Sequence, residues 1–250
     1  MREGGPSITA QRVAAYRLTL PRARAPFGDP AADDRLARDV AAAGETVRSA
    51  RMARYLGART EFFDRVVVGA LEAGVVQVAA IGAGYDGRSL RYARPGVRWF
   101  EVDHPLTQAD KRARLERLEI DARDTAFVAL ELADGGVDAA LLQHGWNPDA
   151  ASLALCEGVA FYLEPEVLRD VLAELRAVAA ADTRLALSLS TEGAGDVVER
   201  LRATVAALGE PSRSSLTPDQ AEGLLRATGW ARLDLGADAG RAGLLVAAAA

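Results

Sequence analysis

Six residues between positions 82 and 103 have the types and spacing to do chemistry: Gly82, Ala83, Gly84, Asp86, Glu101 and Asp103. An apolar run from Val75 to Ile81 ends in the two glycines, and a second apolar run ends in Glu101 and Asp103. The acids follow the glycine turn by about twenty residues, the layout of a nucleotide-type pocket in an open α/β sheet. Glycine lets a backbone approach a ligand closely, because no Cβ intervenes. An acid at the end of the next strand can accept hydrogen bonds from both hydroxyls of a ribose. Gly82, Gly84 and Gly87 also satisfy G-x-G-x-x-G, so an NAD-dependent oxidoreductase is one reading. Asp86 argues against it, since a carboxylate inside that turn would repel a pyrophosphate. S-adenosylmethionine carries an ammonium, a carboxylate and a sulfonium but no phosphate, and tolerates an acidic turn. The residues therefore favour a methyl donor over a dinucleotide.

Other side chains could contact such a donor. Arg59, in GARTEFFD, has a planar fork that can hold a carboxylate through two hydrogen bonds. Arg17 and Arg24 are similar candidates from the N-terminal segment. Glu131 can accept from an adenine amine while Leu132 covers the ring. Glu157 ends the fourth apolar run, where a buried unpaired carboxylate would be costly unless a cation lay nearby. His104, His144 and Glu157 are the candidate proton acceptors for a hydroxyl substrate. Two distant histidines and one cysteine offer no metal-ligand spacing, so no metal is expected. No G-x-S-x-G elbow points to covalent catalysis.

These residues need elements to position them. Strands are expected at 75–81, 97–102, 126–130, 152–156 and 184–190. Helices are expected at 86–93, 105–119, 134–145, 164–180, 193–208 and 217–228. The alternation implies a mostly parallel sheet with right-handed crossovers. The last twenty residues read instead as an antiparallel hairpin, which completes the seven-stranded, Rossmann-like methyltransferase sheet. Before the first strand, 7–20 reads as a helix and 21–30 as a proline-rich loop. Residues 33–73 are helical in pieces broken near Gly44 and Gly57. The organisation expected is an N-terminal helical cap or lid over 1–73 and a cofactor-binding core over 74–250.

Composition sets bounds. The chain of 250 residues carries 35 acids and 30 bases, a net charge of -5, which argues against nucleic acid as the main partner. No apolar run reaches membrane-span length and no signal peptide opens the sequence, so a cytoplasmic protein is expected. Cys156, the only cysteine, fits a reducing compartment. Lys111 is the only lysine among the 30 bases.

The motifs TAQRVAAYR, GARTEFFD, AIGAGYDGRSLR, FEVDHP and CEGVAFYL occur in that order. Together they resemble the leucine carboxyl methyltransferase family, in its bacterial natural-product O-methyltransferase branch. The resemblance implies a class I methyltransferase sheet with a helical cap and S-adenosylmethionine as cofactor, leaving S-adenosylhomocysteine. It places Arg59 at the methionine carboxylate, Gly82 and Gly84 at the glycine turn, and Asp103 at the ribose. Glu131 and Leu132 fall at the adenine, Glu157 at the acid after the fourth strand, and Arg17 at an N-terminal basic contact. Two departures stand out: Gly87 replaces an expected threonine, and the region between the fifth strand and helix 217–228 is short. The expected activity is O-methylation of an anionic carboxylate on a small polyketide or peptide-like molecule. A hydroxyl acceptor, an NAD-dependent oxidoreductase and a catalytically silent cofactor-binding subunit are the alternatives. A homodimer is compatible with the sequence.

Overall fold

The computed structural model describes residues 5–43, 49–189, 212–233 and 243–250. Three helices come first: α1 (Ile8–Arg17), α2 (Pro30–Ala42) and α3 (Ala50–Glu72). Each starts where a short polar side chain can accept from the first turn. Ser7 accepts from the Ala10 N–H, Asp29 from Ala32 and Ser49 from Met52. The break expected at Gly57 is absent, for α3 runs straight through it. Glycine inside a helix costs roughly 0.5–1 kcal/mol relative to alanine. Burying Phe63, Val67, Ala70 and Leu71 against the sheet outweighs that. Gly44 lies outside the described residues.

Strands and helices then alternate. They are β1 (Gln77–Ile81), α4 (Arg88–Arg91), β2 (Arg98–Asp103), α5 (Pro105–Arg117), β3 (Thr125–Ala129) and α6 (Val137–Gln143). After these come β4 (Ser152–Cys156), α7 (Pro165–Ala177), β5 (Arg184–Ser188), α8 (Pro218–Ala227), β6 (Trp230–Leu233) and β7 (Leu244–Ala249). The seven strands lie side by side in the order β3-β2-β1-β4-β5-β7-β6. β1 to β5 are parallel, and β7 runs antiparallel to both β5 and β6. The fold class expected from the alternation is the one observed. Two helices differ from expectation. Asp86 stands outside the short α4, accepting from the Arg88 N–H at 2.9 Å. The helix expected from 134 begins only at Val137, because Gly135 and Gly136 take positive φ of 73° and 84°. The expected helix at 193–208 and the hairpin tip lie outside the described residues.

The sheet has a core on each face, and its strands alternate between them. Val78, Trp99, Leu153 and Leu155 face α3, whereas Ala79, Phe100, Ala154 and Cys156 face α6, α7 and α8. A third, smaller core joins α1 and α2 to α4 and α5 through Ala14, Leu36, Val40, Leu90 and Leu115. The helices before β1 are therefore of two kinds. α3 is a layer of the sheet, while α1 and α2 lie at its rim. The chain moves outward from β1 through β2 to β3, then returns to β4 on β1's other side. Loops leaving β1 and β4 diverge there, which opens a crevice at their carboxyl ends.

Candidate functional site

A cavity of about 400 Å³ occupies that crevice. The turn after β1 supplies Gly82, Ala83, Gly84, Tyr85 and Asp86 to its wall. Asp103 ends β2 and His104 follows it, Leu130 to Leu132 follow β3, and Glu157 follows β4. α1 and α3 close it with Arg17 and Arg59, among others. A cavity of this size lies in the range that holds small molecules.

The turn needs glycine. Gly82 has φ 65°, and a Cβ there would lie 2.5 Å from the Val159 side chain. Two bonds from N–H groups fix the next acid: Asp103 accepts from the Gly84 N–H and, at 2.7 Å, from His104 N–H. Burial pushes the Asp103 pKa up to about 6, although both hydrogen bonds and Lys111 oppose the shift. His104 starts α5, with its Nδ1 accepting from the Leu106 N–H at 3.1 Å. Its Nε2 lies 3.6 Å from Glu131 on the cavity wall. Leu132 is buried and lines the same wall.

Four of the lining residues belong to a group of buried charges that the spacing did not reveal. Arg88 bonds Asp64 at 2.7 Å and Asp86 at 2.6 Å, and also donates to Glu157. Arg59 Nε donates to Glu157 at 3.0 Å. Arg17 reaches from α1 to within 3.4 Å of Asp86 and 3.7 Å of Glu157. Burial alone would raise the Glu157 pKa. The positive charges of Arg88, Arg59 and Arg17 outweigh it and hold the carboxyl below the usual range. Asp86 is likewise held low by Arg17, Arg88 and Lys111 against burial. The cation expected near a buried Glu157 is supplied by the protein's own arginines, which compensate Asp86 as well.

Three candidates lie elsewhere. Glu101 is buried behind the turn, accepting from Ser89 Oγ at 2.7 Å and from Lys111 Nζ at 2.5 Å, so it does not reach the cavity. Lys111 also donates to the Asp86 carbonyl at 2.5 Å and so ties the turn to β2. His144 ends α6 with its Nδ1 2.8 Å from the Ala140 carbonyl, away from the cavity. Arg24 is exposed and does not line the cavity. Gly87, where threonine was expected, has a steric cause. A Cβ there would lie 1.8 Å from Asp33 Oδ1, and Asp33 is fixed by Arg22 at 3.2 Å and Arg91 at 2.6 Å. Among the described residues, no group of three or more His, Cys, Asp or Glu side chains could hold a metal. Burial pushes the Cys156 thiol up to about 12. No helix among the described residues is long and apolar enough to cross a membrane.

Residues 10–176 match the family described as leucine carboxyl methyltransferase. The chain belongs to that family. A Parafrankia protein provisionally named an S-adenosyl-L-methionine-dependent methyltransferase is 36% identical over 161 residues, which cover 64% of this chain and 51% of that protein. A Streptomyces coelicolor relative with the same provisional name is 32% identical over 240 residues, covering 89% and 82%. The chain thus spans about half the length of some curated relatives and most of others. Among solved structures, a Thermobifida fusca protein, provisionally called a methyltransferase, superimposes with a TM-score of 0.65 at 17% identity. The match covers 98% of this chain and 95% of that one, a likeness of fold. The fold is that of the Rossmann-like methyltransferases, and family membership makes S-adenosylmethionine the cofactor of this leucine carboxyl methyltransferase relative.

Proposed function

We propose that the chain is an S-adenosylmethionine-dependent O-methyltransferase that esterifies a carboxylate on a small natural product in the cytoplasm. The observation that carries this reading is the shared cavity. A glycine turn, Asp103 and the Glu131–Leu132 pair meet a roof of α1 and α3 that brings in arginine and apolar side chains.

The donor set fits this cofactor. Asp103 keeps lone pairs for ribose hydroxyls, and Gly82 to Gly84 offer backbone without side-chain obstruction. Glu131 can accept from the adenine amine, Leu132 can cover the ring, and Arg59 can take the methionine carboxylate. When bound, the cofactor would supply an electrophilic methyl to the acceptor oxygen, with S-adenosylhomocysteine as the leaving group. The protein's own task is alignment and exclusion of water. A carboxylate is ionised near neutral pH, so it needs no base. His104 is the histidine that borders the cavity, and its Nδ1 is engaged in starting α5. That favours a carboxylate over a hydroxyl acceptor.

Calorimetry with S-adenosylhomocysteine and NADH tests the donor assignment, with binding expected only for the first. Incubation with S-adenosylmethionine and a panel of carboxylic acids, followed by mass spectrometry, should reveal methyl esters. Methyl ethers from phenols with no ester from any acid would refute the carboxylate reading. NADH binding in place of S-adenosylhomocysteine would refute the whole assignment.

A further inference from the structure

The cavity is larger than its donor-facing wall, and α1 brings a cation to the rest. Arg17, Arg59 and Arg213 also line it, and each has an acidic partner: Asp86 at 3.4 Å, Glu157 at 3.0 Å and Glu164 at 2.7 Å. Arg12 lines the same cavity half-buried, and among the described residues it has no acidic partner. A cation held there uncompensated suits an anion that arrives from outside. Its surroundings are apolar. Tyr16, four residues on, shares Arg12's face of α1, and Val13 of the same helix also lines the cavity. Met52 and Leu56 come from α3, with Tyr162 and Leu163 from the short turn after β4. Tyr16 offers its ring, since its hydroxyl accepts from the Ser49 N–H at 2.8 Å.

We infer that this half of the cavity is the acceptor subsite, that it takes an apolar monocarboxylic acid, and that Arg12 holds one carboxylate oxygen. The inference rests on the methyl-transfer reading above and narrows its acceptor class. The second carboxylate oxygen stays free to form the new bond. Esterification cancels the acceptor's negative charge, so Arg12 grips the acid but not the ester. Product release follows from that loss.

The test uses protein saturated with S-adenosylhomocysteine and titrated with octanoate, 4-phenylbutyrate, succinate and octanamide. Octanoate and 4-phenylbutyrate should bind at least about tenfold more tightly than octanamide, the scale of a hydrogen bond to a charged group. Arg12→Gln should abolish that preference and Arg12→Lys should keep part of it, with S-adenosylhomocysteine affinity equal in all three proteins. Equal binding of acid and amide by the wild type would overturn the inference, as would discrimination that survives in Arg12→Gln. Failure of both apolar acids to bind, or tighter binding of succinate, would overturn it too. If those results come with normal S-adenosylhomocysteine binding, only the subsite inference falls. Absence of S-adenosylhomocysteine binding removes the methyl-transfer reading along with it.

Discussion

Asp103 is the residue whose charge the proposed donor site depends on most. Ribose hydroxyls donate best to an ionised carboxylate, so S-adenosylhomocysteine affinity should fall as pH drops through about 6. Asp103→Asn should weaken binding roughly ten- to a hundred-fold and flatten that pH profile; an unchanged profile would remove Asp103 from the ribose site. Without ligand the sign is opposite. Raising the pKa from 3.8 to about 6 means the fold favours the protonated acid. That contribution to stability is full below 3.8 and is lost as pH rises through about 6. Lys111 is the second residue to test. Lys111→Met would leave Glu101 buried and unpaired, costing about 3–5 kcal/mol in urea denaturation. Adding Glu101→Leu should recover part of that loss. The glycine turn and Asp103 were legible because backbone geometry demands them at fixed spacing. Arg88 was not, because an arginine at a helix start reads as solvated. Its three acids, Asp64, Asp86 and Glu157, come together only in the fold. Glu101 misled for the converse reason: both acids lie on one face of β2, two residues apart, and only Asp103 at the strand's end borders the cavity, while Glu101 sits one step back, held by Ser89 and Lys111.

Among the elements, the strands could be read almost to the residue, as in Ser152–Cys156, because central parallel strands are continuous apolar runs. Helix ends were harder. Gly57 looked like a break, yet burial of α3 against the sheet overrode it. The contact of α2 with the turn before α4 gives a sharp prediction. Gly87→Thr should destabilise the protein by about 1–3 kcal/mol, the usual penalty for an overpacked site. A denaturation midpoint equal to that of the wild type would show that Asp33 can move aside. α1 yields another expectation. It is tied down by the Ser7 N–H bond to Thr107 Oγ1 at 3.1 Å and by Arg17's approach to Asp86. If α1 roofs the ligands, S-adenosylhomocysteine should slow hydrogen exchange across Ile8–Arg17. Unchanged exchange there would mean that α1 is fixed whether or not the cavity is filled.

At the scale of the whole molecule, cooperativity should depend on β7. It bonds β5 along Arg184–Ser188 and β6 along Trp230–Leu233, and its Leu244, Leu245, Val246 and Ala247 enter the cores on both faces. Removing residues 244–250 should therefore abolish cooperative unfolding rather than trim an edge. A truncated protein that still melts sharply would contradict this. The antiparallel hairpin was readable from the missing helix between two apolar runs. Its insertion beside β5, with β6 at the margin, was not, because strand order depends on long-range pairing.

That insertion has a consequence for synthesis. β7 is the last strand in chain order, yet it lies inside the sheet. On the ribosome, β5 emerges with Leu185, Ala186 and Leu187 ready to pair, and its partner is made more than fifty residues later. Until then an apolar strand edge stands open to neighbouring chains. Yield in a living cell should therefore depend on how nascent chains are shielded during that interval, and slowing translation between Ser188 and Leu244 should increase the fraction that aggregates.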